Sequence, residues 1–443
     1  NKEFHKKQNF FSFSDIDSER KDRIMKFTST EATPAPHVPP GVLRLTGAAK
    51  EDIPMYHIQT MNKISPVGLN RFPSELYEVG DAVQDPQGIL VRSAKLLDLE
   101  FNPSLLAIAR AGVGVNNIPL DRCAAAGIPV FSTPGANANA VKELVICAML
   151  MGSRDIPGAI RWVREQAASG VDVSTVVEKG KSAFIGPELY KKTLGIIGLG
   201  AIGSIVANTA ISLGMDVYGY DPFLSVDTAL RLDRHVHVVK DINDLYKRSD
   251  YITMHIHYTE KTAHMIDADA IAAMKRGVRV INLARGEIVD DEAMLTALDT
   301  GMVAAYITDF PNNRLLTAPH VIAMPHLGAS TPESEQNCAA MAVDTLRDYL
   351  ESGNIRSSVN LPEMTMDRSG VQRLCVLHKN VPGMLANITS LFGRDGVNVE
   401  NLSNKSRGDY AYTMVDLGSK VGDNVIEDVR RTANVIRVRS LEW

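Results

Sequence analysis

Residues 193–203 read Thr-Leu-Gly-Ile-Ile-Gly-Leu-Gly-Ala-Ile-Gly, which puts Gly198, Gly200 and Gly203 straight after an apolar run and at the head of a helical stretch. In that setting the first glycine allows a tight turn, the second lets backbone approach a pyrophosphate, and the third lets helix and strand pack closely. The helix start, from Ala201 and Ile202 onward, presents free N–H groups to phosphate charge. A glycine-rich turn without a ligand has the same letters, so the motif alone does not decide. The next apolar run, Asp216-Val-Tyr-Gly-Tyr-Asp221, ends in an acid about twenty residues on, where ribose hydroxyls are held in such folds. Asp221 would repel a 2′-phosphate, which selects NAD over NADP. The plainer alternative is a solvated turn residue before Pro222.

Two later runs end in groups that complement a nicotinamide. Hydride transfer to or from a hydroxy acid needs a base for the hydroxyl proton and a cation for the carboxylate. Asn282-Leu-Ala-Arg285-Gly286 places an arginine where strand gives way to loop, and Met324-Pro325-His326-Leu-Gly328 places a histidine after another apolar run. Singly, Arg285 reads as a surface ion-pair residue and His326 as a loop histidine. Together, downstream of the glycine motif, they read as a catalytic pair. His255 and His257 follow a further strand and at most border the nicotinamide.

These residues need parallel strands to carry them. From Tyr56 onward short apolar runs alternate with helical stretches: residues 56–60, 88–92, 106–109 and 129–132, then 193–198, 216–221, 251–255, 278–283, 304–309 and 321–323. That alternation specifies an α/β fold with parallel sheets, whose ligands gather at the carboxyl ends of the strands. A helical run over residues 138–166 bridges the two series, and a second long helix spans 334–350. Residues 352–370 read as a linker, and the remainder follows a βαββαβ order.

At 443 residues, two or three domains are expected. A net charge of -5 leaves no basic footprint for nucleic acid. No stretch is apolar enough for a membrane span, since residues 193–220 hold six glycines. No metal-ligand spacing is present. Cys123, Cys147, Cys338 and Cys375 lie far apart, which suits reduced thiols and a cytoplasmic location. Residues 1–54 carry mixed charge and a proline-rich run, without the apolar centre of a secretory signal, and read as a flexible extension.

The motifs LGIIGLGAIG, NLARGEIVDD and PHLGAS, in this order, resemble the D-2-hydroxyacid dehydrogenases over residues 55–360. NKISPVGLN, GILVRS, ARAGVGVNNI and STPGANANAVKELV are similar to the D-3-phosphoglycerate dehydrogenase branch. The resemblance implies two Rossmann-like domains with a cleft between them. The substrate-binding domain is then 55–136 plus 331–352, and the NAD-binding domain 137–330. It also implies 3-phosphoglycerate as substrate, and a homodimer or homotetramer. Arg285 takes the place of the family arginine and His326 that of its acid/base histidine. Arg92 and Ser93 fall where the phosphate or carboxylate is held, the backbone of Gly112, Val113 and Gly114 and the side chain of Asn137 complete the site, and Lys63 is a weaker phosphate contact. Asp309 falls where the family contacts the nicotinamide amide. One position departs: in Asp309-Phe-Pro-Asn-Asn313, Asn313 stands at the family glutamate. An amide there can orient an imidazole but cannot raise its pKa as a carboxylate would.

Residues 371–443 resemble an ACT domain, joined through the 353–370 linker. His378 and Asn380 match the turn that binds an amino acid in these domains, and Asn398 matches the residue completing a serine site across a dimer interface. The resemblance thus implies L-serine as an effector, or a module that only dimerises. Two further readings stay open: a dehydrogenase of another D-2-hydroxy acid, and a regulatory NAD and amino-acid binder with weakened chemistry.

Overall fold

The computed structural model describes residues 55–443, so the 1–54 extension lies outside the described residues. Two parallel sheets and one antiparallel sheet organise the chain, in agreement with the expected α/β class and its C-terminal βαββαβ module.

The first sheet holds β1 (Tyr56–Thr60), β2 (Tyr77–Gly80), β3 (Gly88–Val91), β4 (Ala107–Arg110) and β5 (Val130–Phe131), in the order β2-β1-β3-β4-β5. All its pairs are parallel. β2 was not foreseen: its four residues, Tyr-Glu-Val-Gly, lie between turn residues and are too short to show a period. The order reverses between β1 and β3, and a parallel sheet opens a crevice at such a point.

A long helix, α1 (Ala138–Ser153), leads to the second sheet. It buries Val141, Val145, Ala148 and Met149 against that sheet. The helical run does not continue to residue 166 as one element. Arg154 turns extended, Asp155 accepts from Gly158 N at 2.9 Å, and a new helix starts, α2 (Ile156–Ala168), followed by α3 (Val173–Gly180). Pro157 explains the break, because proline is accommodated in a first turn but not in a helix interior.

The second sheet contains β6 (Thr193–Ile197), β7 (Asp216–Tyr220), β8 (Val236–Val239), β9 (Tyr251–Met254), β10 (Val278–Asn282), β11 (Val303–Thr308) and β12 (Val321–Ala323). Its order is β12-β11-β10-β9-β6-β7-β8, again parallel throughout. β9 is buried at every residue, as strands covered on both faces must be. β8 escaped the sequence reading because its residues are half-buried or exposed and include a histidine. The switch lies between β6 and β9, and α4 (Ala201–Ser212) starts beside it.

The chain then returns to the first sheet through α5 (Pro332–Ser352). Thr331 Oγ1 caps its start, accepting from Ser334 N at 3.0 Å, and Gly353 ends it in the left-handed conformation. Its face of Ala339, Ala342, Val343, Leu346 and Leu350 enters the core of the first sheet.

The third sheet is built from β13 (Gln372–Lys379), β14 (Val399–Arg407), β15 (Tyr410–Leu417) and β16 (Val435–Glu442), ordered β14-β15-β13-β16. Helices α6 (Met384–Arg394) and α7 (Asp423–Arg431) cover one face with Ile388, Phe392, Val425 and Val429. The other face does not stand free. Cys375, Leu377, Tyr412, Met414 and Leu441 pack into the core around α5. Arg439 donates to the carbonyls of Tyr349 and Leu350 at 3.1 and 2.9 Å, and Tyr412 donates to that of Gly353 at 2.7 Å. The last carbonyls of a helix lack intrahelical partners, so these donors cap α5 from the third sheet. A fully buried Arg373–Asp416 pair adds a donor to Ser352 O at 2.9 Å. Residues 353–370 join the same core: Leu361 and Met364 are buried, and Ile355 and Met364 exchange backbone bonds at 2.8 and 2.9 Å. Among the described residues, no helix is long and apolar enough to cross a membrane.

Candidate active site

The carboxyl ends of both parallel sheets open on one cleft of about 690 Å³. The first sheet contributes Lys63 beyond β1, Arg92 beyond β3, and Arg110 with Gly112, Val113 and Gly114 at and after β4; Asn137 follows β5. The second sheet contributes Tyr258, Arg285, Phe310 and His326, and α5 adds Ser334 and Glu335.

Ser93 is not among the lining residues. The N–H groups of Arg92, Ser93 and Ala94 all donate to Asn62 Oδ1, at 3.3, 3.0 and 2.7 Å, so this turn folds onto Asn62 and only the Arg92 side chain reaches the cleft. Arg110 was missed by the sequence reading. Its signal was available, since it ends a strand just as Arg285 follows one, and the same switch-point argument covers both. Arg110 Nε donates to Arg92 O at 2.9 Å. A side-chain carbon built on Gly114 would meet Arg110 Nη1 and Arg285 Nη2, each at 3.2 Å, so the two guanidinium groups converge on that backbone. Burial pushes the Arg110 pKa down, and the positive charges of Arg285 and Arg92 push it the same way. Such a cluster calls for an anion. Asn137 Oδ1 and Ser334 Oγ are buried without a partner in this lining, which is where a polar ligand gains most.

The His326 imidazole packs on the Phe310 ring, centroids 4.7 Å apart. Asn313 is not brought to it. The side chain of Asn313 is exposed and outside the cleft lining. Its neighbour Asn312 anchors the turn instead, donating to Asp291 Oδ2 at 2.6 Å and accepting from Arg314 N and Leu315 N at 3.1 Å. Asp309 lies close enough to His326 for the two charges to interact. Its Oδ2 accepts from Gly328 N at 3.3 Å while Oδ1 is buried and unpartnered. Burial raises its pKa, and the nearby His326 opposes that rise.

At the β6 switch, Gly198 sits at φ +90° and Gly203 lies where a side-chain carbon would stand 1.9 Å from Gly198 O. Asp221 follows β7 with both oxygens turned to backbone, accepting from Leu199 N at 2.9 Å and Phe223 N at 2.8 Å. His255 follows β9 with Nε2 3.1 Å from Thr253 Oγ1, and burial pushes its pKa down to about 4, so it carries no charge at neutral pH.

In the third sheet, His378 is buried, with Nδ1 2.8 Å from Lys379 O and Nε2 2.8 Å from Thr413 Oγ1. Asn380 lies past the Lys379↔Tyr410 end of the ladder, and Asn398 bonds Gly418 N past the Leu417 end. One chain therefore does not bring Asn380 and Asn398 together: at ~3.3 Å per residue they stand about 25 Å apart.

Residues 146–328 match the family described as "D-isomer specific 2-hydroxyacid dehydrogenase, NAD binding domain". The D-3-phosphoglycerate dehydrogenase of Escherichia coli (strain K12) is 31% identical over 380 residues, covering 82% of this chain and 89% of that one. The chain belongs to the D-2-hydroxyacid dehydrogenase family. The D-3-phosphoglycerate dehydrogenase of a Synechocystis strain is 36% identical over 72% of this chain, which spans 56%, about half, of that relative's length. A solved NAD-bound 3-phosphoglycerate dehydrogenase of Entamoeba histolytica superposes with a TM-score of 0.53 at 26% identity, over 69% of this chain and 99% of that one.

For a D-2-hydroxyacid dehydrogenase the second sheet must accommodate NAD, and its residues fit. Gly198 and Gly203 leave no room for a side chain, and Gly200 opens onto free space at the start of α4, whose first N–H groups lack intrahelical partners, the arrangement that accepts a pyrophosphate. Asp221 keeps lone pairs for ribose hydroxyls, and the unpartnered Asp309 Oδ1 is an acceptor for an amide.

Proposed function

We propose that this chain oxidises 3-phospho-D-glycerate to 3-phosphohydroxypyruvate with NAD, the first step of phosphorylated L-serine synthesis. The observation that carries the reading is the meeting of Arg92, Arg110 and Arg285 with His326 in one cleft at the switch points of two parallel sheets. A substrate with an anion at each end suits such a cleft, and relatives at 31% and 36% identity bear the name D-3-phosphoglycerate dehydrogenase.

Bound NAD supplies the hydride acceptor. Arg285 grips the α-carboxylate, and Arg92 and Arg110, with Lys63 at the edge, hold the phosphate. His326 takes the hydroxyl proton on an imidazole nitrogen while the C2–H bond breaks with its electron pair, leaving the keto acid. Gly112–Gly114 and Asn137 present polar groups to the same substrate. The test is initial-rate assay with NAD across 3-phospho-D-glycerate, D-glycerate, D-malate and D-lactate, with 3-phospho-D-glycerate expected to give the highest kcat/KM. Arg285→Ala should raise KM and lower kcat together, with a loss of ~10–10² or more in kcat/KM, because the carboxylate grip acts in ground and transition states alike. A different preferred acid leaves a dehydrogenase of another D-2-hydroxy acid. No turnover favours the binder with weakened chemistry, for which the exposed position of Asn313 speaks.

We further infer that the third sheet is an ACT-like serine sensor in a homodimer or homotetramer of a cytoplasmic enzyme. The separation of Asn380 and Asn398 supports a site shared between two copies, each giving one end of its sheet. α2 and α3 bury none of their residues and expose Ile160, Val163 and Val177, which suits a second contact between copies. α5 would carry the effect, since its first turn lines the cleft and its last carbonyls are capped from the third sheet. Coupling requires serine to bind the inactive arrangement more tightly. Calorimetry should then detect serine binding that Asn380→Ala and Asn398→Ala each lose, with inhibition lost in the same variants. Absence of serine binding by the wild type would reduce the module to dimerisation.

A further inference from the structure

Arg92 meets the cleft already engaged. Its Nη2 donates to Glu335 Oε1 at 2.5 Å, its carbonyl accepts from Arg110, and its backbone N–H is tied to Asn62. Glu335 comes from the first turn of α5, so the pair ties the two ends of one lining wall. Both side chains are 44% exposed. A negative charge inside an arginine cluster is a cost to any anionic substrate unless it serves a purpose.

We propose that Glu335 is a charge filter on Arg92: it yields to a doubly charged distal group and holds against a singly charged one. The proposal rests on the reading that Arg92 receives the end of the substrate opposite the α-carboxylate. A ligand carboxylate gains little at Arg92, because it exchanges one carboxylate for another, and the resident one is tethered at an effective concentration in the millimolar range. A phosphate ester brings a charge of about −1.5 to −2 and three acceptor oxygens, and binds a guanidinium bidentately. It therefore displaces Glu335, whose half-exposed side chain turns to solvent with little loss, because exposed ion pairs are weak. Discrimination between distal phosphate and distal carboxylate then comes from a residue that need not touch the bound substrate.

Equilibrium titration of 3-phospho-D-glycerate and D-malate into wild type, Glu335→Gln, Arg92→Ala and the double variant decides this. D-Malate carries a carboxylate where the phosphoester stands. Glu335→Gln should tighten D-malate more than 3-phospho-D-glycerate, lowering the preference for the phosphoester roughly two- to fivefold, and should have no such effect once Arg92 is alanine. An unchanged preference in Glu335→Gln, weaker binding of both ligands, or the same change without Arg92 would overturn the filter and leave Glu335 a support for the arginine. Turnover measured on the same proteins is read separately: 3-phospho-D-glycerate bound selectively but not oxidised removes the proposed reaction and keeps the filter.

Discussion

His326→Ala should lower kcat by ~10²–10⁴ while NAD still binds, since a positioned acid/base contributes that order to proton transfer. The imidazole stands past β12, on the Phe310 ring, in the same cleft wall as Arg285. No other histidine lines that cleft among the described residues, so none can take over the proton. The lost step is chemical, and KM for the hydroxy acid should move far less than kcat, because Arg285, Arg92 and Arg110 still grip the two anionic ends. Stopped-flow or steady-state rates together with NAD titration separate the two effects. Turnover within a few-fold of wild type would assign the proton to another group, with Asp309 the first to examine.

Gly198→Ala should cripple the nucleotide half. At φ +90° an alanine is strained by about 1–3 kcal/mol, and its methyl carbon would stand 2.6 Å from His255 O and 2.7 Å from Ile256 Cγ2. Overpacking of that kind costs a further ~1–3 kcal/mol. Relief would shift the start of α4, whose N–H groups would hold the pyrophosphate of bound NAD. We expect a lower Tm and a Kd for NAD weaker by roughly ten- to a hundredfold. Unchanged NAD affinity in a folded variant would place the cofactor away from this turn.

The sequence disclosed what repeats or is chemically rare. Buried parallel strands are continuous apolar runs, so β9, β10 and β11 stood out, and the glycine turn, Arg285 and His326 were found from their places after such runs. Short or half-exposed strands have no such signal, which hid β2 and β8. Arg110 was passed over although the run 106–109 was read as a strand, because it falls one residue beyond that run and the site residues of the turn were taken from its glycines, Gly112 and Gly114. The stretch 352–370 read as a linker because its buried residues, Leu361, Met364 and Met366, follow no helical or strand period; they are fixed by the core they fill. Asn313 was placed by motif alignment, and side-chain bonds of its neighbour Asn312 decide the direction of that turn. His378 and Asn380 stand at one end of the third sheet and Asn398 at the other, so the amino-acid site that the resemblance implied is not assembled within one chain.

The central claim is that one cleft moves a hydride from C2 of a D-hydroxy acid bearing a distal phosphate to NAD. Its most direct test is oxidation of 3-phospho-D-glycerate labelled with deuterium at C2, with mass analysis of the reduced nicotinamide. The account predicts deuterium in the NADH produced, a slower rate than with unlabelled substrate where hydride transfer limits turnover, and no NADH from the L-isomer. NADH formed without the label, or equally from both isomers, would contradict it.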